Sequence, residues 1–471
     1  MEYPAQEQMN VQPCLPAEEE RQTIFTGLED KQLLFFKISY PILYLLTYFY
    51  SAVFFNYQTA SFFPFAIGLI LLSEALIRKL AYPSLQIKNL DSRLEARSFL
   101  IMTLAQALAL SLWGLHRQLE FFQFLAIHIS FAFYILSRTG WLSQGRLGIL
   151  VWFDTIQAFC ILPFKNFIAA ILVFIEGKQK DYSDSSDSLS SKKAQQLAII
   201  VSSFFVAGIL VYFVWSQLSQ VSDSFASFFS NTADIIENLL DSLFSSLDSS
   251  MILFKACLAV PVSLYLYGLL AGSLLGKKDT KLSYKKFQAS IRPLRVAPAF
   301  AAYIIIGSLC LTYALFFLTG LGELGQLLSA GTVAQAISPQ NASTVAVAGF
   351  WQLVRVSILN FAVLGVFYLI AKKPLWDQKG TRFAATILFI FTGLLALLAG
   401  WKLFGIYIYL YGPTPLRLIS AWFILVLLVW CLLTLIRFYK PIQAIRIGIF
   451  YALISFTLLC YLYPMLLPVA K

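Results

Sequence analysis

The sequence predicts an all-α membrane protein, a polytopic bundle of transmembrane helices with about 11 spans. Hydrophobic residues make up 59% of the 471 residues and charged residues only 13%, whereas a soluble domain carries about 25% charged residues. The apolar residues form blocks of about 20, the length that a helix needs to cross ~30 Å of hydrocarbon. Because these blocks do not alternate between apolar and polar residues, transmembrane strands are excluded.

The predicted spans are the apolar blocks with almost no internal charge, each bounded by polar or turn-forming residues. In chain order they cover residues 38–56, 62–80, 98–115, 119–137, 197–216, 251–275, 299–319, 351–371, 383–404, 416–436 and 447–467.

One apolar stretch, residues 147–175, is not counted among these spans. It contains Pro163 and Asp154, the only acid well inside an apolar run of the N-terminal half, and basic loops flank it on both sides. Its 29 residues are too few for two comfortable crossings. We therefore favour a re-entrant or interfacial helix pair bent at Pro163. A hairpin that crosses twice, which would make 13 spans, is the alternative.

Charge in the loops predicts the orientation. The loop 276–298 is rich in Lys and Arg, whereas the loop 217–250 has five acids and neither Lys nor Arg. By the positive-inside rule the first loop is cytoplasmic and the second lies outside, which places the N-terminus in the cytoplasm. The apolar residues of 217–250 fall on one helical face, so this loop is predicted to be amphipathic and helical.

Composition divides the chain into four regions. Residues 1–30 are polar and predict a disordered cytoplasmic tail, and 31–177 form a four-span membrane region with the re-entrant or interfacial segment. The Ser-rich, charged stretch 178–195 is predicted to be a cytoplasmic linker. Residues 196–471 form a seven-span membrane domain.

Four cations lie near the predicted outer ends of spans, on the side that usually avoids them: Lys255, Arg355, Lys402 and Arg417. Three interpretations stay open: contact with lipid phosphates at the interface, pairing with outer acids, or a site for an anionic ligand. Arg355 and Arg417 are the best candidates for an anion site, because arginine grips oxyanions with two parallel hydrogen bonds.

The motif YLYGPTPLR precedes the tenth span and is typical of a helix start. Tyr411 fits an aromatic belt at the interface, Gly412 makes a turn, and Thr414 is placed to cap the helix with Pro415 at its first position. Arg417 then lies in the first turn, where the helix dipole disfavours a cation. We therefore expect Arg417 to have an anionic partner.

A few polar side chains lie inside the spans. His128, Asn360 and Gln106 are typical of hydrogen bonds between neighbouring helices, with proton transfer by His128 a weaker alternative. Glu74 lies four residues before Arg78, a spacing that predicts an ion pair within one helix.

Motifs for catalysis or metal binding are missing from the sequence. Its six cysteines are scattered without a CxxC pair, only two histidines are present, and no Walker loop, HExxH or GxSxG occurs. We expect no metal, no cofactor and no nucleic-acid partner, and the sequence favours a protein that is not an enzyme. The glycine cluster in TGLGELG, residues 319–325, is predicted to be an outer turn.

Two stretches resemble a known family. AVAGFWQLVRVSILN, residues 346–360, is similar to an AxxGFxxLxxVxxxN signature, and YGPTPLR, residues 411–417, is similar to a YGLTxxR element that follows it. Both belong to a large bacterial family of polytopic membrane proteins catalogued as a domain of unknown function. The resemblance covers roughly residues 197–440. It implies a multi-pass fold in the bacterial plasma membrane and supplies no reaction.

Three function classes remain. The favoured one is a non-enzymatic sensor or assembly factor that acts on envelope components, with an anionic ligand on the outer face. The alternative is a transporter or permease for a small solute or lipid, and an enzyme acting on lipids ranks third. The expected partners are the lipid bilayer, together with anionic lipids or another membrane protein.

Overall fold

A computed structural model describes residues 24–25, 27–56, 59–80, 90–116, 118–179, 249–276, 284–329 and 339–467. Regular structure in these residues is helical, apart from one isolated parallel bridge between Ala297 and Ala371. The prediction of an all-α polytopic bundle is thus confirmed. The predicted span 197–216, most of the predicted outer loop 217–250, and most of the tail and linker lie outside the described residues.

The helices are numbered here in chain order, with their bounds. They are α1 Asp30–Asn56, α2 Phe62–Leu80, α3 Leu90–Trp113, α4 Glu120–Thr139, α5 Val151–Ile156, α6 Leu162–Lys165, α7 Ala169–Gln179, α8 Ser249–Leu275, α9 Tyr284–Ile291, α10 Ala299–Ser329, α11 Pro339–Ile370, α12 Lys379–Trp401, α13 Tyr409–Tyr411, α14 Pro415–Tyr439 and α15 Ala444–Leu466. Two π-helical turns, Gln157–Ile161 and Lys402–Ile408, join α5 to α6 and α12 to α13.

Ten helices of the described ranges are long and apolar enough to cross a membrane, namely α1 to α4, α8, α10 to α12, α14 and α15. They correspond to ten of the predicted spans. The helix α10 continues through residues 319–325, so the turn predicted at this glycine cluster is wrong. Isolated glycines cost a helix only about 1 kcal/mol each, which the surrounding apolar residues offset.

The stretch 147–175 folds into two short helical pieces, neither of which is among the helices long enough to cross. The first runs from α5 through the π-helical turn to α6, and α7 follows after a break at residues 166–168. The position predicted for the bend, Pro163, is wrong, because the helix is interrupted three residues later, at Asn166. Pro163 follows the π-helical turn within the continuous helical run 151–165, and the chain leaves the helix at Asn166. The Asn166 side chain donates a hydrogen bond to the Leu162 carbonyl at 2.8 Å.

The described helices pack around two main hydrophobic cores. The first core joins α1 to α4, the segment 141–173 and α8, and the second joins α10, α11, α12 and α14. Although α8 follows the Ser-rich linker in the chain, its contacts are therefore with the N-terminal helices. The predicted division of the chain into two membrane regions at residues 178–195 stays a prediction.

The last helix, α15, joins the two cores. Against the N-terminal helices, Gln106 donates a hydrogen bond to the Thr457 hydroxyl at 3.2 Å, and the Phe450 ring packs on Phe99. Against α14, the Trp430 indole donates to the Gly448 carbonyl at 3.0 Å. The helix α15 thus connects α3 with α14.

An ion-pair cluster fixes the first turn of α15. The Arg446 Nε atom lies 2.9 Å from a carboxylate oxygen of Glu95, a fully buried side chain, and Arg446 Nη1 lies 3.2 Å from Asp91. The backbone N–H of Leu147 donates to both Glu95 oxygens at 2.9 and 3.1 Å, and Arg146 pairs with Asp91 at 3.1 Å. The two acids of α3 therefore hold both α15 and the 140–150 loop.

Glycines let α8 approach the broken helix pair closely. A Cβ atom at Gly268 would lie 2.5 Å from the Pro163 carbonyl oxygen, and one at Gly272 would overlap the Asn166 side-chain amide. The two glycines are four residues apart, on one face of α8, which is the small-xxx-small pattern of close helix packing in membranes. The break at residue 166 thus depends on small residues in α8.

We expect Gly272→Leu to separate α8 from the Leu162–Asn166 turn and to destabilise the fold by several kcal/mol, because overlap with Asn166 and the Leu162 carbonyl cannot be relieved by one side chain moving. Gly307→Leu is the matched control, since a Cβ atom at Gly307 meets nothing within 4 Å. Thermal unfolding of both purified variants in detergent measures the difference. Equal midpoints would show that the close approach is not required.

We expect Arg446→Met to destabilise the protein by about 3–5 kcal/mol, because it leaves the buried Glu95 carboxylate without its cation. Adding Glu95→Gln in the same chain should recover much of the loss. Arg78→Met is the control, because Arg78 is 79% exposed and lies 3.7 Å from Glu74, and exposed pairs contribute below about 1 kcal/mol. Thermal unfolding in detergent distinguishes the three, and an Arg446→Met midpoint equal to that of Arg78→Met would contradict the role of the pair.

Candidate functional site

The structure groups three of the four candidate cations on neighbouring elements. Lys402 begins the second π-helical turn, and both α11, which carries Arg355, and α14, which carries Arg417, pack against that turn. Lys255 lies on α8, whose main contacts are with the N-terminal helices. The candidate site is therefore the region around Lys402–Ile408, at the predicted outer end of the C-terminal bundle.

The Arg417 guanidinium lies on an aromatic platform at this site. Its central carbon is 4.0 Å from the Tyr407 ring centre and 5.6 Å from that of Tyr411. A guanidinium over an aromatic face is stabilised by about 0.5–2 kcal/mol, depending on its exposure. The two tyrosine rings meet edge to face at 5.6 Å. Tyr409, by contrast, is 81% exposed.

The same guanidinium binds the end of the preceding helix. Arg417 Nη1 donates to the carbonyl oxygens of Tyr411 at 3.0 Å and Gly412 at 2.6 Å. Carbonyls at a helix C-terminus have no partner within the helix and carry negative partial charge. Arg417 therefore caps the helix before it, which offsets its unfavourable position in the first turn of α14.

In the described part of the chain, the Nε and Nη2 groups of Arg417 have no hydrogen-bond partner. Both of its hydrogen bonds to carbonyls use Nη1, and Arg417 forms no ion pair with an acid in the described part of the chain. Arginine carries five N–H donors, and its Nε and Nη2 groups form a fork that matches two oxygens of a carboxylate or phosphate. The arrangement can therefore hold the turn and accept an oxyanion at the same time.

The turn before α14 has the geometry that its sequence predicts, with one difference. Thr414 is extended and occupies the N-cap position, and Pro415 begins the helix. Within the described residues, however, the Thr414 side chain makes no capping hydrogen bond. Gly412 has φ +73° and ψ 171°, a conformation that essentially only glycine adopts. The reversal between α13 and α14 thus depends on Gly412.

The polar groups inside the spans hold helices together. Asn360, fully buried, accepts from the Tyr313 hydroxyl at 2.8 Å and donates to the Thr392 hydroxyl at 2.9 Å, which links α10, α11 and α12. The Nε2 atom of His128 lies 3.1 Å from the Tyr50 hydroxyl, which links α4 to α1.

Asp154 and Glu74 lie in the N-terminal bundle, away from the candidate site. The buried Asp154 carboxylate accepts from the backbone N–H of Ser143 at 3.0 Å and from its hydroxyl at 2.6 Å. Glu74 meets Arg138 on α4 at 2.8 Å, closer than its predicted partner Arg78 at 3.7 Å. Both acids therefore position neighbouring chain segments.

Sequence reasoning did not indicate the π-helical turn at the site. A π-helical turn inserts one residue into a helix and leaves no marker in an apolar pattern, although such turns are frequent at functional sites. The residue of this turn that could have drawn attention in the sequence is Gly405. Its missing side chain leaves room for the indole of Trp401. Among the described residues, no group of three His, Cys, Asp or Glu side chains could hold a metal ion.

Together, the fold and this site define a multi-pass helical membrane protein with a basic and aromatic end to its C-terminal bundle. The chain belongs to the family described as a domain of unknown function, DUF4153, whose model matches residues 100–471. No curated protein and no solved structure matches the chain.

We expect Gly412→Ala to destabilise the protein by about 1–3 kcal/mol, because alanine is strained at the φ and ψ of this turn. Gly393→Ala on α12 is the control: its Cβ atom would meet nothing within 4 Å, and alanine in a helix interior is favoured by up to ~1 kcal/mol. Thermal unfolding in detergent should show a lower midpoint for Gly412→Ala only. Equal midpoints would show that the turn tolerates a side chain.

Proposed function

We propose that this protein is a non-enzymatic sensor or assembly factor of the cell envelope that binds an anionic ligand at the predicted outer face. The resemblance noted from the sequence supports the bacterial plasma membrane as its location. The proposed ligand-binding residue is Arg417, with Arg355 and Lys402 on the adjoining elements supplying further positive charge.

The single observation that carries this proposal is that the Arg417 side chain is held in one position by neighbouring groups. Its Nη1 group and its aromatic platform fix the guanidinium in place. A side chain already ordered loses little conformational freedom when a ligand binds. Its Nε and Nη2 donors then form a prepared fork for an oxyanion, in a region where predicted orientation and helix dipole both disfavour an isolated cation.

The alternative, a transporter, draws support from a different feature. The broken helix pair at 151–179 has the interrupted backbone that transporters place at their substrate sites. However, the polar side chains that a pathway through the described bundle would use are engaged. Asn360 and Gln106 bond to neighbouring helices, and so does His128. These contacts favour the sensor or assembly role.

We expect the purified full-length protein to retain anionic small molecules or lipids that native mass spectrometry detects, and the Arg355→Gln/Arg417→Gln double variant to lose most of them. The reason is that the variant removes the two arginines suited to oxyanions. Lys255→Gln is the control, because it removes a cation at similar predicted depth in the other bundle. Retention of the same anionic species by the double variant would overturn the proposal.

A further inference from the structure

An apolar groove runs between α12 and α14, beside the candidate site. It has a volume of about 530 Å³ and is lined by Leu397, Gly400, Trp401, Phe404, Gly405, Ile424, Leu425 and Leu428. Small-molecule sites have volumes of roughly 300–1,000 Å³. Apart from the Trp401 indole N–H, no lining side chain can form a hydrogen bond. An occupant of this groove must therefore be apolar along its length.

Glycine creates the floor of the groove. A Cβ atom at Gly400 would touch Ile424 across the helix interface at 3.5 Å, so a larger side chain there would extend into the groove. The walls are open to the bilayer side of the bundle, because Trp401 and Leu425 are about half exposed, at 53% and 48%. An apolar chain could enter sideways from the membrane.

Arg417 lies on α14, on the N-terminal side of the groove-lining residues of that helix. Arg417 and Ile424 are seven residues apart and so share one face of α14, with a separation of ~10 Å along the helix axis. A molecule in the groove would therefore end next to a cation at the predicted interface.

We propose that the ligand of this site is a lipid with an anionic headgroup, whose phosphate binds Arg417 and one of whose acyl chains lies in the α12–α14 groove. This inference rests on the proposed function and names its ligand class. A free phosphate would satisfy the guanidinium but leave the groove unfilled, and a neutral lipid would fill the groove without matching the charge. An anionic lipid satisfies both features.

The test uses delipidated full-length protein in detergent, titrated with phosphatidylglycerol, phosphatidylethanolamine or water-soluble glycerol phosphate, with binding followed by native mass spectrometry. Gly400→Leu fills the groove from its floor, and Leu425→Trp fills it from an exposed position. The matched controls are Gly393→Leu on α12 and Leu432→Trp on α14, which lie outside the groove lining.

We expect wild type to bind phosphatidylglycerol at least about tenfold more tightly than either of the other probes, a difference of ~1.4 kcal/mol. Both groove variants should lose about tenfold in phosphatidylglycerol affinity, while both controls keep the wild-type value. The use of two filling variants guards against misfolding of one, which its unfolding midpoint would reveal.

Three outcomes would overturn the inference. If glycerol phosphate binds as tightly as phosphatidylglycerol and the groove variants match their controls, the lipid assignment fails while anion binding stands. If phosphatidylethanolamine binds as tightly as phosphatidylglycerol, the anionic headgroup is wrong. If no probe binds wild type, the lipid assignment fails, and the proposed function fails with it if the Arg355→Gln/Arg417→Gln variant also retains its co-purified anionic species.

Discussion

Burying a carboxylate inside a helix bundle costs several kcal/mol unless a cation and hydrogen-bond donors surround it, and Glu95 meets both conditions. Arg446 supplies the cation at 2.9 Å, and the Leu147 N–H bonds to both carboxylate oxygens. Because Arg446 lies in the first turn of α15, satisfying Glu95 fixes where that helix starts against α3. The rest of α15 then reaches α14 through Trp430 and Gly448. The buried acid and the arginine that neutralises it therefore fix the start of α15, the helix that joins the two bundles.

A second constraint is that interrupted helices must satisfy their own backbone when little water is present. The two breaks next to π-helical turns follow this rule in different ways. At residue 166 the Asn166 amide bonds to the Leu162 carbonyl, and Gly268 and Gly272 allow α8 to cover the break closely. At residue 412 the Arg417 guanidinium takes the two terminal carbonyls. At the first break, a neutral amide side chain satisfies the backbone carbonyl beneath the packed helix α8. At the second, a charged guanidinium does so with one of its nitrogen groups.

The sequence was sufficient to predict the ten long helices of the described residues and insufficient to predict their interrupted segments and their packing partners. Apolar blocks near 20 residues predict the spans because the bilayer sets their length, and Thr414-Pro415 predicts the start of α14 because the chemistry of a helix N-terminus is local. Partners are set by which helices pack together, and no local pattern encodes that. Glu74 illustrates the limit: its neighbour in sequence is Arg78, but the tighter bond is to Arg138 on α4. Arg417 differs, because its carbonyl partners lie only five and six residues before it, whereas its position in an unfavourable turn predicted an anionic partner.

If Arg417 binds a ligand as proposed, its contacts with the turn favour a sensing role over a passive lipid contact. Its guanidinium is planar and rigid, so a ligand on the Nε and Nη2 edge would restrict the same group whose Nη1 atom holds the carbonyls of Tyr411 and Gly412. Ligand binding would then stabilise the turn between α13 and α14, and α14 contacts α15 through Trp430. A lysine at this position could attract a phosphate, but its single flexible ammonium group would not couple phosphate binding to the turn as a rigid guanidinium does. On this argument, Arg417→Lys should keep part of the ligand affinity and lose most of the ligand-induced rise in unfolding temperature.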